Sequence, residues 1–249
     1  MLLALTALIS SCDYSVLDGS STDSNSGTGG SMARFACIGT HLYVVDDNDL
    51  QTFDISDSSK IVRSSRIDAY WGSSIETIFP KDSLLFLGST NGMYIFNLKN
   101  PATPAYVSLI EHFTSCDPVV VQGQYAFVTL RTDNETSSCS RGVNQLQVID
   151  ISKLSNPIVK GAYNMVNPRG LAVDGNQLFI CDGMDLVVMD VTNPLLVTET
   201  HRFELDSTPF DVIAKNGTLI LSNTSGLKQY SYTGGNVQEI STILTIPKS

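Results

Sequence analysis

Five charged residues, Arg34, Glu76, Asp117, Arg169 and Asp211, each stand at or near the head of a short apolar stretch. Three carboxylates and two guanidinium groups gathered into one confined ring would shift each other's pKa values, as active sites and structural ion-pair networks both do. Such a ring could hold a small polar ligand or a cation. It could equally interlock as ion pairs that close a channel. Glu76, Asp117 and Asp211 could also act as acid, base and pKa modulator in glycoside hydrolysis, which needs two carboxylates across a sugar. Arg34 and Arg169 argue against that last chemistry, because nearby cations keep carboxylates ionised and deny the reaction its general acid. All of this depends on a fold that gathers residues so far apart in the chain.

A repeat would do so. Leu146-Gln147-Val148-Ile149-Asp150 and Leu186-Val187-Val188-Met189-Asp190 are apolar strands that end in an acid. Leu50–Asp54 and Met93–Asn97 are more worn copies, and Leu227–Tyr232 is a fifth with Ser231 in place of the acid. The anchor positions 54, 97, 150, 190 and 231 recur at about 40–45 residues, with one longer interval, and such a period with four short strands per copy marks a β-propeller. In the fourth copy the strands are Arg169–Val173, Gln177–Cys181, Asp185–Val191 and Val197–Phe203, with Asp174-Gly175-Asn176, Asp182-Gly183 and Asn193-Pro194 as turns. The expected fold is all-β: five blades of four antiparallel strands, closed by side-chain contacts between blades 1 and 5. First strands of a propeller line its channel. Arg34, Glu76, Asp117, Arg169 (or Gly170) and Asp211 are therefore expected around one channel mouth, with Tyr70 and Trp71 beside them. The anchor acids lie one per blade, too far apart to share an ion, and their expected role is to accept N–H groups of the following turn.

These strands, the turns Asn156-Pro157, Asn193-Pro194 and Asn100-Pro101, and the Cys116–Val121 stretch resemble the LVIVD-repeat propeller proteins, in particular the lipoprotein branch found in Bacteroidetes. The resemblance runs from Met32 to the C-terminus; blades 1 and 5 depart from it by lacking the Asn-Pro turn. It implies an exported binding or scaffolding propeller without assigned chemistry. On that basis the chain is expected not to be an enzyme and to need no cofactor or metal, a glycan-binding or glycoside-active channel mouth being the alternative.

The N-terminus adds an address. Met1–Cys12 is an apolar run too short to span a bilayer, and Ile9-Ser10-Ser11-Cys12 looks like a lipobox with Cys12 as the lipidated residue, although no Lys or Arg precedes it. Residues 13–31 are rich in Ser, Gly, Thr and Asp, and are expected to form a flexible tether to a head spanning 32–249. This predicts an outer-membrane lipoprotein with a monomeric head, held to the membrane through Cys12, whose partner is a protein or a glycan. A net charge of −10 disfavours nucleic acid. Cys116 and Cys139 are expected to form a disulfide, as an exported protein permits, while Cys37 and Cys181 are expected to be buried free thiols.

Overall fold

The computed structural model describes residues 29–68, 74–111, 118–132, 143–233 and 236–244. They form five four-stranded antiparallel sheets in strict chain order, the all-β propeller architecture the period demands. Blade 1 is β1 (Phe35–Ile38), β2 (His41–Val45), β3 (Asp49–Asp54) and β4 (Val62–Asp68); blade 2 is β5 (Ile75–Lys81), β6 (Leu84–Ser89), β7 (Gly92–Asn97) and β8 (Ala105–Glu111). Blade 3 is β9 (Val119–Gln122), β10 (Tyr125–Leu130), β11 (Gln145–Asp150) and β12 (Ile158–Asn164). Blade 4 comprises β13 (Pro168–Asp174), β14 (Gln177–Asp182), β15 (Asp185–Asp190) and β16 (Thr198–Glu204). Blade 5 comprises β17 (Pro209–Lys215), β18 (Thr218–Asn223), β19 (Gly226–Thr233) and β20 (Asn236–Leu244).

Local chemistry explains the copies. In every blade a two-residue loop joins the first strand to the second, and its first residue has positive φ: Gly39, Asp82, Gly123, Gly175 and Asn216. Such a tight hairpin turn matches the twist of the strands it joins. The anchors accept turn amides as expected: Ser56 N–H donates to Asp54 (2.9 Å), Ser152 N–H to Asp150 (2.9 Å) and Thr192 N–H to Asp190 (2.8 Å). Together with the hydroxyls of the same residues, these bonds hold the three carboxyls below their usual pKa. Blade 1 lacks Asn-Pro, but Asp57 takes the part of that asparagine, accepting from Ser59 N–H at 2.9 Å while its carbonyl accepts from Lys60 N–H. The third and fourth strands slip register at the same point in all five blades, as between Val188 and Met189. A repeated bulge of this kind bends and twists each blade alike.

Alternation along the middle strands decides which blade each side chain meets. Four buried clusters result, each shared by two successive blades: Tyr43 with Leu85 and Leu87, Phe86 with Ala126 and Val128, Phe127 with Leu178 and Ile180, and Phe179 with Leu219 and Leu221. Among the described residues no such cluster joins blade 5 to blade 1. Phe35 is 64% exposed, and Ile220 and Leu227 are 44% exposed. The expected closure by side-chain packing is therefore replaced by a polar clasp. Ser31 Oγ donates to Asp211 at 2.9 Å, Met32 N–H donates to the same carboxylate at 3.2 Å, and Leu171 N–H donates to Ser31 Oγ at 2.8 Å. Ala33 O then accepts from Ile78 N–H at 2.8 Å, so the segment entering β1 ties blades 5 and 4 to blades 1 and 2. Ser31, which the sequence places in the tether, is 1% exposed.

Candidate functional site

The first strands of blades 2, 4 and 5 carry a register shift at their heads, between Ile75 and Thr77, Pro168 and Leu171, and Pro209 and Asp211. Glu76 and Arg169 sit inside these irregularities. A bulge at a strand end re-aims a side chain that regular alternation would send elsewhere. Here the outcome is a shared cavity of about 270 Å³ at one mouth of the channel, lined by Met32, Arg34, Glu76, Thr77, Pro118, Arg131 and Arg169. It lies above a narrower space of about 100 Å³ in the channel itself, where Phe79, Val120, Leu171 and Val212 make an apolar floor.

Of the residues expected at the mouth, the structure brings Arg34, Glu76 and Arg169 together. Arg34 is oriented by its Nη2, which donates to Asp47 at 2.8 Å and to Ile75 O at 3.3 Å. Arg169 stacks over the Phe210 ring at 5.5 Å, and its carbonyl accepts from Thr129 Oγ1 at 2.6 Å. Asp211 does not join them. Its carboxylate is absorbed by the clasp, boxed between Gly30 and Gly170, where any Cβ would collide with it. Burial pushes its pKa up, and the hydrogen bonds from Ser31 and the Met32 and Val212 amides oppose that rise. Gly170 therefore serves close packing rather than ligand contact. Asp117, Tyr70 and Trp71 lie outside the described residues, as do Cys12, Cys116 and Cys139. Of the two cysteines expected to be buried, Cys181 is buried but Cys37 is exposed.

Arg131 is the residue that sequence reasoning missed. It follows β10, a second strand, and no first-strand alignment would bring it to the mouth. The signal that could have found it is its position directly after the apolar run Tyr125–Leu130, at the end of the blade where β9 begins. Its inclusion and the loss of Asp211 change the charge balance of the described lining. The expected ring of three acids and two arginines becomes, among the described lining residues, three guanidinium groups and one carboxylate. Such a lining favours an anion over a cation, and guanidinium forks match carboxylate and phosphate geometry. Among the described residues, no group of three or more His, Cys, Asp or Glu could hold a metal ion.

The LVIVD-repeat family model matches residues 29–69, 141–165 and 167–204, which span blade 1, the third and fourth strands of blade 3, and blade 4. The chain carries LVIVD repeats within a propeller fold. Blade 1 thus keeps the family pattern despite its missing Asn-Pro turn. No curated protein matches the chain in sequence. Solved structures match its fold. A protein from Lactobacillus plantarum is similar at 13% identity and a TM-score of 0.67, over 85% of this chain and 74% of that one. The periplasmic gluconolactonase of Pseudomonas aeruginosa is similar at 11% identity and a TM-score of 0.65, over 82% and 67%. BamB from Moraxella catarrhalis is similar at 9% identity and a TM-score of 0.59, over 79% and 56%. The expectation that the LVIVD propeller is not an enzyme is corrected by these likenesses. An architecture shared with a gluconolactonase gives no ground for excluding a reaction, and at these identities the likeness speaks for the fold alone.

Proposed function

We propose that the LVIVD propeller is an exported envelope protein, anchored at the outer membrane through a lipidated Cys12, that binds a small anionic, hydroxyl-bearing molecule at its channel mouth. A sugar acid or the acidic end of a glycan fits this description. The observation that carries the reading is the convergence of Arg34, Arg131 and Arg169 on one cavity of about 270 Å³, with Glu76 as the lone described carboxylate. The guanidinium groups supply donors for a carboxylate or phosphate, and Glu76 supplies an acceptor for sugar hydroxyls. Below them the first strands present an apolar wall of Phe79, Val120, Leu171 and Val212.

Thermal unfolding of the purified protein with gluconate, glucuronate, citrate and phosphate tests this. A ligand at 100 times its Kd adds about 2.7 kcal/mol to the folded state, which for a domain of this size raises the midpoint by roughly 5–10 °C. Arg169→Ala and Arg34→Ala should each abolish the shift while leaving the ligand-free midpoint within a few degrees. No shift with any of these anions would sink the reading. Incubation of the same sample with gluconolactone, read as acid release, asks whether the mouth also turns its ligand over.

A further inference from the structure

The seam between blades 5 and 1 exposes the two halves of an interface the molecule builds four times internally. At each internal junction the earlier blade presents a large residue from its second strand and one from its third: Tyr43 and Leu50, Phe86 and Met93, Phe127 and Leu146, Phe179 and Leu186. All eight are at most 1% exposed. Register places Ile220 and Leu227 of blade 5 in these two positions, where both are 44% exposed. The later blade of each junction presents a first-strand residue, Ile78, Val119, Leu171 or Val212, and all four are at most 1% exposed. In blade 1 that position is Phe35, paired with Val44 and 64% exposed. Leu42 and Val44, half-buried, occupy the positions of the fully buried Leu178 and Ile180. Exposed Cys37 lies on the same side of β1, paired with Leu42.

We propose that a second copy of this chain docks at the seam, blade 1 of one molecule stacking on blade 5 of the other. The occupant follows from continuity with the internal junctions. Each molecule carries one face of the later-blade type and one of the earlier-blade type, so two copies are complementary without any new surface. Such a contact is head-to-tail, in contrast to the face-to-self contact of a two-fold dimer. The blade 5 face is more polar than its counterparts, with Gln229 where blades 2 to 4 carry Ile95, Val148 and Val188. The association is accordingly reversible and concentration-dependent, in place of the monomer expected from sequence.

Light scattering across a dilution series of the full-length protein reads the oligomeric state directly. The wild type should pass from monomer to higher species as concentration rises, with Cys37 losing maleimide reactivity over the same range, mapped by peptide mass. Ile220→Asp and Phe35→Asp, both at exposed positions that leave the fold intact by circular dichroism, should each weaken self-association about tenfold or more. Mixing the two variants should restore a one-to-one dimer, since one keeps an intact blade 1 and the other an intact blade 5. A wild type that stays monomeric with fully reactive Cys37 overturns the proposal and leaves the seam to a different occupant. Self-association unchanged in both variants, or no dimer on mixing them, overturns it as well.

Discussion

Phe179 and Ile220 hold the same place in successive blades, yet one is fully buried and the other 44% exposed. Phe179 meets Leu219, Leu221 and the edge of the Tyr232 ring, whose centroid lies 4.7 Å away. Ile220 meets the seam. The contrast teaches that a repeat position has no fixed energetic weight: its contribution comes from the blade that covers it. The junction of blades 4 and 5 is held by apolar burial with a polar rim, where Tyr232 OH donates to Asp174. The seam is held by the clasp on Asp211 instead.

The sharpest way to break this comparison is to truncate both residues. Phe179→Ala should cost about 3–5 kcal/mol by urea denaturation, as large-to-small changes in cores do, whereas Ile220→Ala should cost under about 1 kcal/mol. Equal costs would mean that the seam is closed in solution.

A polar version of the same test comes next. Asp182 ends β14 and accepts from Asn167 N–H at 2.7 Å, Val166 N–H at 2.9 Å and Arg202 Nη1 at 3.2 Å. Asp182→Ala should cost about 3 kcal/mol, mostly from the two stranded amides, since the partly exposed Arg202 also has Asp185 and Glu199 to turn to. Asn223, its counterpart in blade 5, receives the Ser225 and Gly226 amides at 2.8 and 2.9 Å. Asn223→Ala should cost nearer 1 kcal/mol, read from the same denaturation curves.

Smaller again is the clasp. Ser31→Ala removes the hydroxyl that bridges Asp211 and Leu171 N–H, and should cost about 1–2 kcal/mol. It should speed amide exchange in β1 and β17 while leaving β13 and β14 protected. Uniform loss of protection across all blades would show that the clasp and the internal junctions open together.

The subtlest difference is in pH. Asp54, Asp150 and Asp190 have lowered pKa values, so they contribute stability above the ordinary carboxylate pKa of about 4 and lose it as pH falls through their folded values. Asp211 has the opposite sign. Its raised pKa means it favours the folded state most when protonated, and that contribution is lost as pH rises through the folded value. Asp211→Asn should therefore steepen the fall of the thermal midpoint between pH 7 and pH 3, while Asp190→Asn should make it shallower. A midpoint profile that Asp211→Asn leaves unchanged would mean the carboxylate does not titrate against the seam.

How much of this was legible beforehand depended on range. Leu186–Asp190 announces a buried strand and its turn because alternation, β-branching and an Asx acceptor act within a few residues. The same local reach made Arg34, Glu76 and Arg169 legible as one set, since all head first strands and the period aligns them. Asp211 fits that pattern equally well, yet it was captured by Ser31, a residue 180 positions away. Arg131 failed the pattern and reached the mouth all the same, carried there from a second strand.

By itself, the sequence determined the number of blades, the order of their strands, the anchor turns and the pairing of successive blades, because each rests on short-range hydrogen bonding and a repeated apolar alternation. The tertiary structure decided the rest. It set whether blades 5 and 1 cover each other, which carboxylate the clasp consumes and that Arg131 joins the mouth. Those outcomes depend on which side chains the closing of the arc brings within bonding distance, and no period written along the chain encodes that distance.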